Sequence, residues 1–518
     1  MADFTTRLLY VSRNRVCASS SGCGQPLWWR RRTKTTAPPK PNAFTDITTQ
    51  SGIADLVAQK YDKNPKWWLS GLHLVDLDGD GKLDLFLSAH GGGGALAALN
   101  DGAGHFKLAP GNYPPTEIHL AYDADEDGKV DLTMTFQDGG GKWWLNRSKP
   151  GLLAFEGTKI ERGTNTARRQ AMIDLDRDGK VDWLRGTPGR IIVERGDGKG
   201  GFVKSHEIAV GDKSGQAEVL CLPIDIDGDG CIDLLVEWGH YGSPPSNSRI
   251  LRNDGKMNFT DVTKECGLPL TGVSIKGAGD VNRDGFPDLF VIENKVPQIY
   301  LNDGKGHFTK KVGALRGMEK TTRPAYPSWG LAVVVDLDND GIADILWNGR
   351  NFLWVLRGTG DGHFEYMNKA WGIKDTSAAS VDDGLCFGDI DSDGALDIIG
   401  YTSIDNQRRI AVYHNDLPKQ NWLNVRPIGR PGNRGAAGAK IRLTAPKTGE
   451  LLWYEQVAIY DSQAAASYYS YAVTERHFGL GQRKEVDVSV EFYPSGVRVQ
   501  QKGVRAGTTV EIAEPAPK

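Results

Sequence analysis

Cysteine is scarce in this chain: six residues in 518, at Cys17, Cys23, Cys221, Cys231, Cys266 and Cys386. That number is too small and too scattered for a disulfide framework, and none of the six falls in the CxxC spacing of a zinc site. Cys221 and Cys231 flank one of the loops described below, where a cross-strand disulfide and two buried thiols are equally open readings. No run of residues nears the ~18 apolar positions needed to cross a membrane. Charge of one sign is also lacking, since a formal net charge of −3 gives no general attraction to polyanions, and neither nucleic acid nor a membrane is an expected partner. The chain has no Gly-x-Ser-x-Gly elbow, phosphate loop or dinucleotide fingerprint.

Glycine, by contrast, is abundant at 64 residues, and without a collagen period this excess points to a chain full of tight turns. Self-comparison supplies the reason. The unit Asp-x-Asp-x-Asp-Gly-x-x-Asp occurs as Asp76, Asp78, Asp80, Asp84; Asp123, Asp125, Asp127, Asp131; Asp174, Asp176, Asp178, Asp182; and Asp225, Asp227, Asp229, Asp233. It continues as Asp280, Asn282, Asp284, Asp288; Asp336, Asp338, Asp340, Asp344; and Asp389, Asp391, Asp393, Asp397. The first aspartates are 47, 51, 51, 55, 56 and 53 residues apart, the length of one four-stranded propeller blade.

Short β-rich runs flank each loop, such as Gly71-Leu-His-Leu-Val75 before the first and Leu83-Asp-Leu-Phe-Leu87 after it, so each loop is predicted to be a hairpin turn. A second hairpin follows at Leu99-Asn-Asp-Gly102, Arg252-Asn-Asp-Gly255 and Leu301-Asn-Asp-Gly304, because Asn-Asp-Gly fills left-handed turn positions at low steric cost. Two hairpins make four strands. The seventh unit stops at His414-Asn415-Asp416, while Phe44-Thr-Asp-Ile-Thr48 matches the outer strand Phe259-Thr-Asp-Val-Thr263. Residues 44–48 are therefore expected to complete the seventh blade and close the ring, which leaves no long open edge. The predicted fold is all-β: a seven-bladed propeller over residues 43–418, then a small β-sandwich-like domain over 419–514, where Val486-Asp-Val-Ser-Val490 alternates apolar and polar.

Residues 1–42 hold eight basic side chains against Asp3. Leu8–Val11 is too short for the core of a signal peptide, so either the start of the chain is misassigned or this stretch is a disordered basic leader ending in the Pro-rich Ala37–Pro41, the reading adopted here.

Oxygen ligands at positions 1, 3, 5 and 9 with a glycine at 6 have the chemistry of a calcium site, and position 9 distinguishes this loop from the EF-hand, whose acid comes at 12. Up to seven Ca2+ ions are expected. A loop with four acids repels itself when empty, so metal binding would supply folding energy. The fifth loop, with neutral Asn282, should bind most weakly.

The repeats resemble FG-GAP/VCBS propeller repeats and are similar to those of integrin α-subunit propellers. The tail resembles the ASPIC/UnbV domain through Asn421-Trp422-Leu423, Asn433-Arg434-Gly435, Gly438-Ala439, Ser462-Gln463, Phe478-Gly479-Leu480-Gly481 and Pro494-Ser495-Gly496, with Tyr493 in place of the family's Trp. The pairing resembles the cartilage acidic protein family and its bacterial relatives. That resemblance implies calcium-dependent adhesion or recognition outside the cell, whether secreted, on the cell surface or periplasmic, with no established catalysis.

Among the histidines, His105, His307 and His363 share one Gly-His-Phe phase of the repeat and read as structural, while His73, His119, His206, His414 and His477 lack acidic or cysteine neighbours at ligand spacing. The candidate ligand face lies opposite the loops and carries Tyr61, Trp67, Trp68, His240, Tyr241, Arg323, Tyr326 and Trp329, of the residue types that lead binding hot spots. The functional expectation is a monomeric, calcium-stabilised binding or adhesion protein for a protein or glycan ligand. The alternatives are a polysaccharide lyase-like enzyme, which needs an acid-base pair or open calcium on that face, and a lectin, which needs aromatic pockets repeated from blade to blade.

Overall fold

A computed structural model describes residues 43–517 except 64–67, 91–93, 116–117, 119, 135–141, 159–168, 211–218, 239–246, 319–331, 350–351, 374–384, 405–406 and 462–474. Residues 42–518 form one compact unit. Six antiparallel sheets each contain four consecutive strands in spatial order, and a seventh contains three consecutive strands completed by one from the start of the described chain. The first blade is Trp68–Val75, Asp84–His90, Leu96–Asn100 and Phe106–Leu108. In the fourth blade Val219–Ile224, Asp233–Trp238, Asn247–Asn253 and Phe259–Asp261 repeat the pattern. The second and sixth sheets each gain a short parallel strand at the outer edge, Gly111–Asn112 and Leu315–Arg316. This all-β, seven-bladed propeller is the fold expected from the repeat.

Ring closure occurs where the sequence placed it. Phe44–Asp46 runs antiparallel to Gln407–Asn415 with Phe44 opposite Asn415, as the outer strand of the seventh blade. Blades pack face to face, so middle strands are buried on both sides. Every residue of Asp182–Thr187 is buried. Aromatics fill the gaps between blades: Trp143, Trp183 and Phe202 lie 5.7–5.8 Å apart, and Trp347 touches both Phe290 and Trp354 at 4.9 Å.

Unforeseen in the sequence is a helix, Ile53–Tyr61, whose residues Ile53, Val57 and Tyr61 recur at four-residue spacing and are buried. They join a core cluster with Leu85 and Leu96 of the first blade and Ile399 and Val412 of the seventh, so the helix staples the seam. The C-terminal module has two sheets. Arg476–Gly481, Asn421–Ile428 and Thr508–Ala513 form one, and Leu451–Gln456, Lys440–Thr444, Glu485–Glu491 and Arg498–Arg505 the other. Their inward faces share a core that includes Leu423, Ile441, Phe478 and Val488. A further strand of this module, Ile459–Asp461, leaves it and pairs with Arg169–Ile173, the first strand of the third blade.

Candidate metal loops

Each acidic loop joins the first two strands of its blade, as in the step from Val75 to Asp84. Its shape comes from hydrogen bonds to its own carboxylates. Asp76 accepts the N–H groups of Gly79 at 2.7 Å and Gly81 at 2.9 Å, and Gly81 sits at φ +86°, where a side chain would be strained. The ninth-position aspartate holds two segments together. Asp84 accepts from Leu77 N at 2.9 Å and from Asn100 N at 2.8 Å, and Asp131, Asp233, Asp288 and Asp397 repeat this pair of bonds.

The carboxylates converge. Oxygens of Asp76, Asp78 and Asp84 lie within 4.8 Å of one another, as do those of Asp123, Asp125 and Asp127, of Asp174, Asp176 and Asp182, and of Asp225, Asp227 and Asp229. An all-oxygen set with several carboxylates fits a hard divalent cation of flexible coordination. In the fifth loop Asn282 donates Nδ2–H to Asp284 at 2.8 Å, so its amide is turned toward a neighbouring candidate ligand. Burial followed by mutual repulsion makes these acids reluctant to ionise. It pushes Asp84 and Asp288 up to about 8, and Asp123, Asp131, Asp174, Asp182 and Asp233 up to about 7. Fully buried Asp336 and Asp344 are driven well above the usual range.

Basic partners on the loops escaped the sequence reading. Arg252 pairs with Asp227 at 2.9 Å, Arg195 with Asp176, and Arg357 with Asp338 and Asp340. His414 requires a correction: its Nε2 lies 3.0 Å from Asp391 and its Nδ1 2.9 Å from Asp416, so it has two acidic neighbours and joins the seventh cluster. The signal was present as a basic residue just before the Asn or Gly that opens the second hairpin, at Arg195, Arg252, Arg357 and His414. His105 and His363 pair with Asp101 and Asp361 inside their own turns, in keeping with a structural role.

Of the two readings left open for Cys221 and Cys231, the structure has the pair of free, buried thiols, and Cys266 and Cys386 are free and buried as well. On the expected ligand face, Tyr61 is a core residue with no exposure, and its hydroxyl donates to Gly94 O at 2.9 Å. Its place in the helix Ile53–Tyr61 explains the difference. Trp67, His240, Tyr241, Arg323, Tyr326 and Trp329 lie outside the described residues, as does the side chain of Trp68.

The C-terminal module covers the loops. Gly432 N donates to Glu126 at 2.7 Å, Tyr493 Oη to Asp174 O at 2.9 Å, and Lys440 Nζ to Asp225 at 2.6 Å. Gly481 N donates to Asn339 O at 2.8 Å, and the indole of Trp422 lies on Gly394. Between this module and the first and seventh loops remains a cleft of about 380 Å³ lined by Asp76, Asp389, Trp422, Arg426 and Glu475, among others.

Comparison with known proteins agrees with this architecture. The FG-GAP-like repeat family matches residues 174–236, 280–347 and 336–400, and the ASPIC and UnbV family matches 429–518. Human (Homo sapiens) cartilage acidic protein 1 is 26% identical over 281 residues, 51% of this chain and 40% of the relative. The mouse (Mus musculus) protein is 26% identical over 270 residues, 49% and 38%. The matched region thus spans about 40% of the length of these relatives. Among solved structures, an Agrocybe aegerita lectin that recognises non-reducing terminal N-acetylglucosamine has a TM-score of 0.39 and 20% identity, over 58% of this chain and 79% of that one. A Photorhabdus luminescens Tc holotoxin pore has a TM-score of 0.36 and 13% identity, over 80% and 23%. Likenesses this distant define neither ligand nor mechanism. The chain thus contains FG-GAP-like repeats followed by an ASPIC and UnbV domain, and it is homologous over about half its length to cartilage acidic protein 1.

Proposed function

We propose that this is a non-catalytic binding protein whose propeller is stabilised by calcium and which recognises a protein or glycan partner outside the cell. The observation that carries the reading is the division of labour between the two faces of the ring. On one face the carboxylates are committed to their own backbone and lie beneath the C-terminal module. The other ends of the strands, marked among the described residues by the turn Asn294–Lys295 between Asp288–Glu293 and Val296–Asn302, are the ones this reading assigns to a partner. Carboxylates that accept two backbone N–H groups and crowd one another suit a structural ion better than proton transfer, because their lone pairs already serve the loop. A ring of such sites needs a calcium-rich compartment, and this supports a location outside the cell. Cartilage acidic protein 1, as a relative, fits the same reading.

The test is calcium titration of the chelator-stripped chain, following melting temperature and bound ions, with binding to glycan arrays and extracellular proteins measured in parallel. A large rise in melting temperature and calcium-dependent binding support the proposal. Release of cleaved or unsaturated saccharide ends from a polysaccharide would replace it with the enzyme reading.

A further inference from the structure

The seven loops are not equivalent in what covers them. Basic side chains reach most of them, but on outer positions: Lys82 on Asp80, Arg147 on Asp125 and Asp127, Arg252 on Asp227, Arg357 on Asp338 and Asp340. Among the described residues a single ion pair falls on the first aspartate of a loop, the residue that both anchors the turn and heads the ligand set. That pair is Lys440 Nζ with Asp225 Oδ2 at 2.6 Å.

This contact is built into the C-terminal module. Lys440 opens the strand Lys440–Thr444, paired on one side with Gln456 and on the other with Glu491. Its Cα is therefore fixed by the sheet, and its neighbour in register reaches the same aspartate: Gln456 Oε1 accepts the N–H of Asp225 at 3.1 Å. The Asp225 side chain is 1% exposed and that of Lys440 13%, so the pair is shielded from water and weakly screened. With Arg252 on Asp227, two side chains bring to this loop the same charge as one calcium ion. A dication on the remaining oxygen of Asp225 would lie a few ångströms from the ammonium in a buried site, where like charges repel strongly.

We propose that the fourth loop is filled from within the chain: the ammonium of Lys440 takes the place of the ion there, so that the protein binds one calcium fewer than its repeats suggest. This rests on the calcium reading of the other loops. It makes Lys440 the cation of the site and ties the seating of the C-terminal module to the fourth blade.

The experiment counts calcium per chain by elemental analysis after gel filtration in saturating calcium, for the full chain and three variants, with circular dichroism to show that each is folded. Lys440→Met keeps most of the unbranched side chain and removes its charge; it should gain one ion. Asp225→Asn should leave the native count unchanged, whereas Asp76→Asn should lose one. If Lys440→Met does not fold, Lys440→Gln serves in its place with the same expected gain. No gain on removing the lysine charge, or loss of an ion in Asp225→Asn, overturns the proposal. A chain that binds no calcium, with Asp76→Asn without effect, fails differently: the calcium reading itself falls, and the inference with it.

Discussion

Asn100 Nδ2 donates to Ile390 O at 2.8 Å, joining residues 290 positions apart in sequence across the seam of the ring. The same bond links other neighbouring blades: Asn146 to Leu77 O at 3.0 Å, Asn302 to Ile226 O at 2.8 Å, and Asn415 to Leu337 O at 2.8 Å. An asparagine thus clips a loop backbone in the preceding blade everywhere except in the third and sixth blades, where Gly196 and Gly358 hold the position, and Asn100 does so at the seam between the first and seventh blades.

Replacing Asn100 with Ala should cost about 1–3 kcal/mol, because buried carbonyls lose their donor. Urea denaturation should show a lower midpoint with an unchanged slope. A cost below about 0.5 kcal/mol would show that the outer strand Phe44–Asp46 and the helix Ile53–Tyr61 close the ring without it.

Stability without metal should depend on pH in a defined direction. Asp84, Asp123, Asp131, Asp174, Asp182, Asp233 and Asp288 have folded values of about 7 to 8, against ~3.9 in an unfolded chain. The folded state therefore holds more protons across this interval. Its stability is greatest toward acid and declines as pH rises to about 8. In chelator the melting temperature should fall between pH 5 and 8, and calcium should remove most of that fall by displacing the protons. A pH-independent melting temperature in chelator would contradict the crowding seen in the loops.

Gly479→Ala should unseat the C-terminal module from the sixth loop, since a Cβ there would lie 1.9 Å from Asp336 Oδ2 and 2.5 Å from Asn339 Cα. Limited proteolysis should cut the connection between Asn415 and Asn421 faster than in the native chain, leaving the propeller intact. Equal cleavage rates would mean that the contact relaxes cheaply.

Tyr61→Phe should lower stability by about 0.5–1.5 kcal/mol through loss of the hydrogen bond to Gly94, without changing partner binding. Weaker binding at unchanged stability would return Tyr61 to the recognition surface.

Reducing agent should leave the melting temperature unchanged as far as Cys221, Cys231, Cys266 and Cys386 are concerned, since all four are free thiols. Mass spectrometry of alkylated, unfolded protein should find each one modified without prior reduction.

The sequence by itself determined the number of blades, the place of every acidic loop and the strand exchange that closes the ring. These features repeat with a period near one blade and rest on local chemistry: a glycine at positive φ, carboxylates binding nearby N–H groups, apolar runs on either side. Phe44–Asp46 was legible for the same reason, as a displaced copy of Phe259–Asp261. Only the tertiary structure decided what breaks the repeat. Cys221 and Cys231 are close in sequence yet unbridged. Tyr61 looks like a surface aromatic until a nine-residue helix buries it. His414 lies 23 positions from Asp391 and meets it only when two hairpins align. Lys440 reaches Asp225 from 215 positions away because a separate module is laid on the loops. Short-range patterning encodes a blade, but contacts between modules depend on where whole sheets come to rest, and no local period in the sequence carries that information.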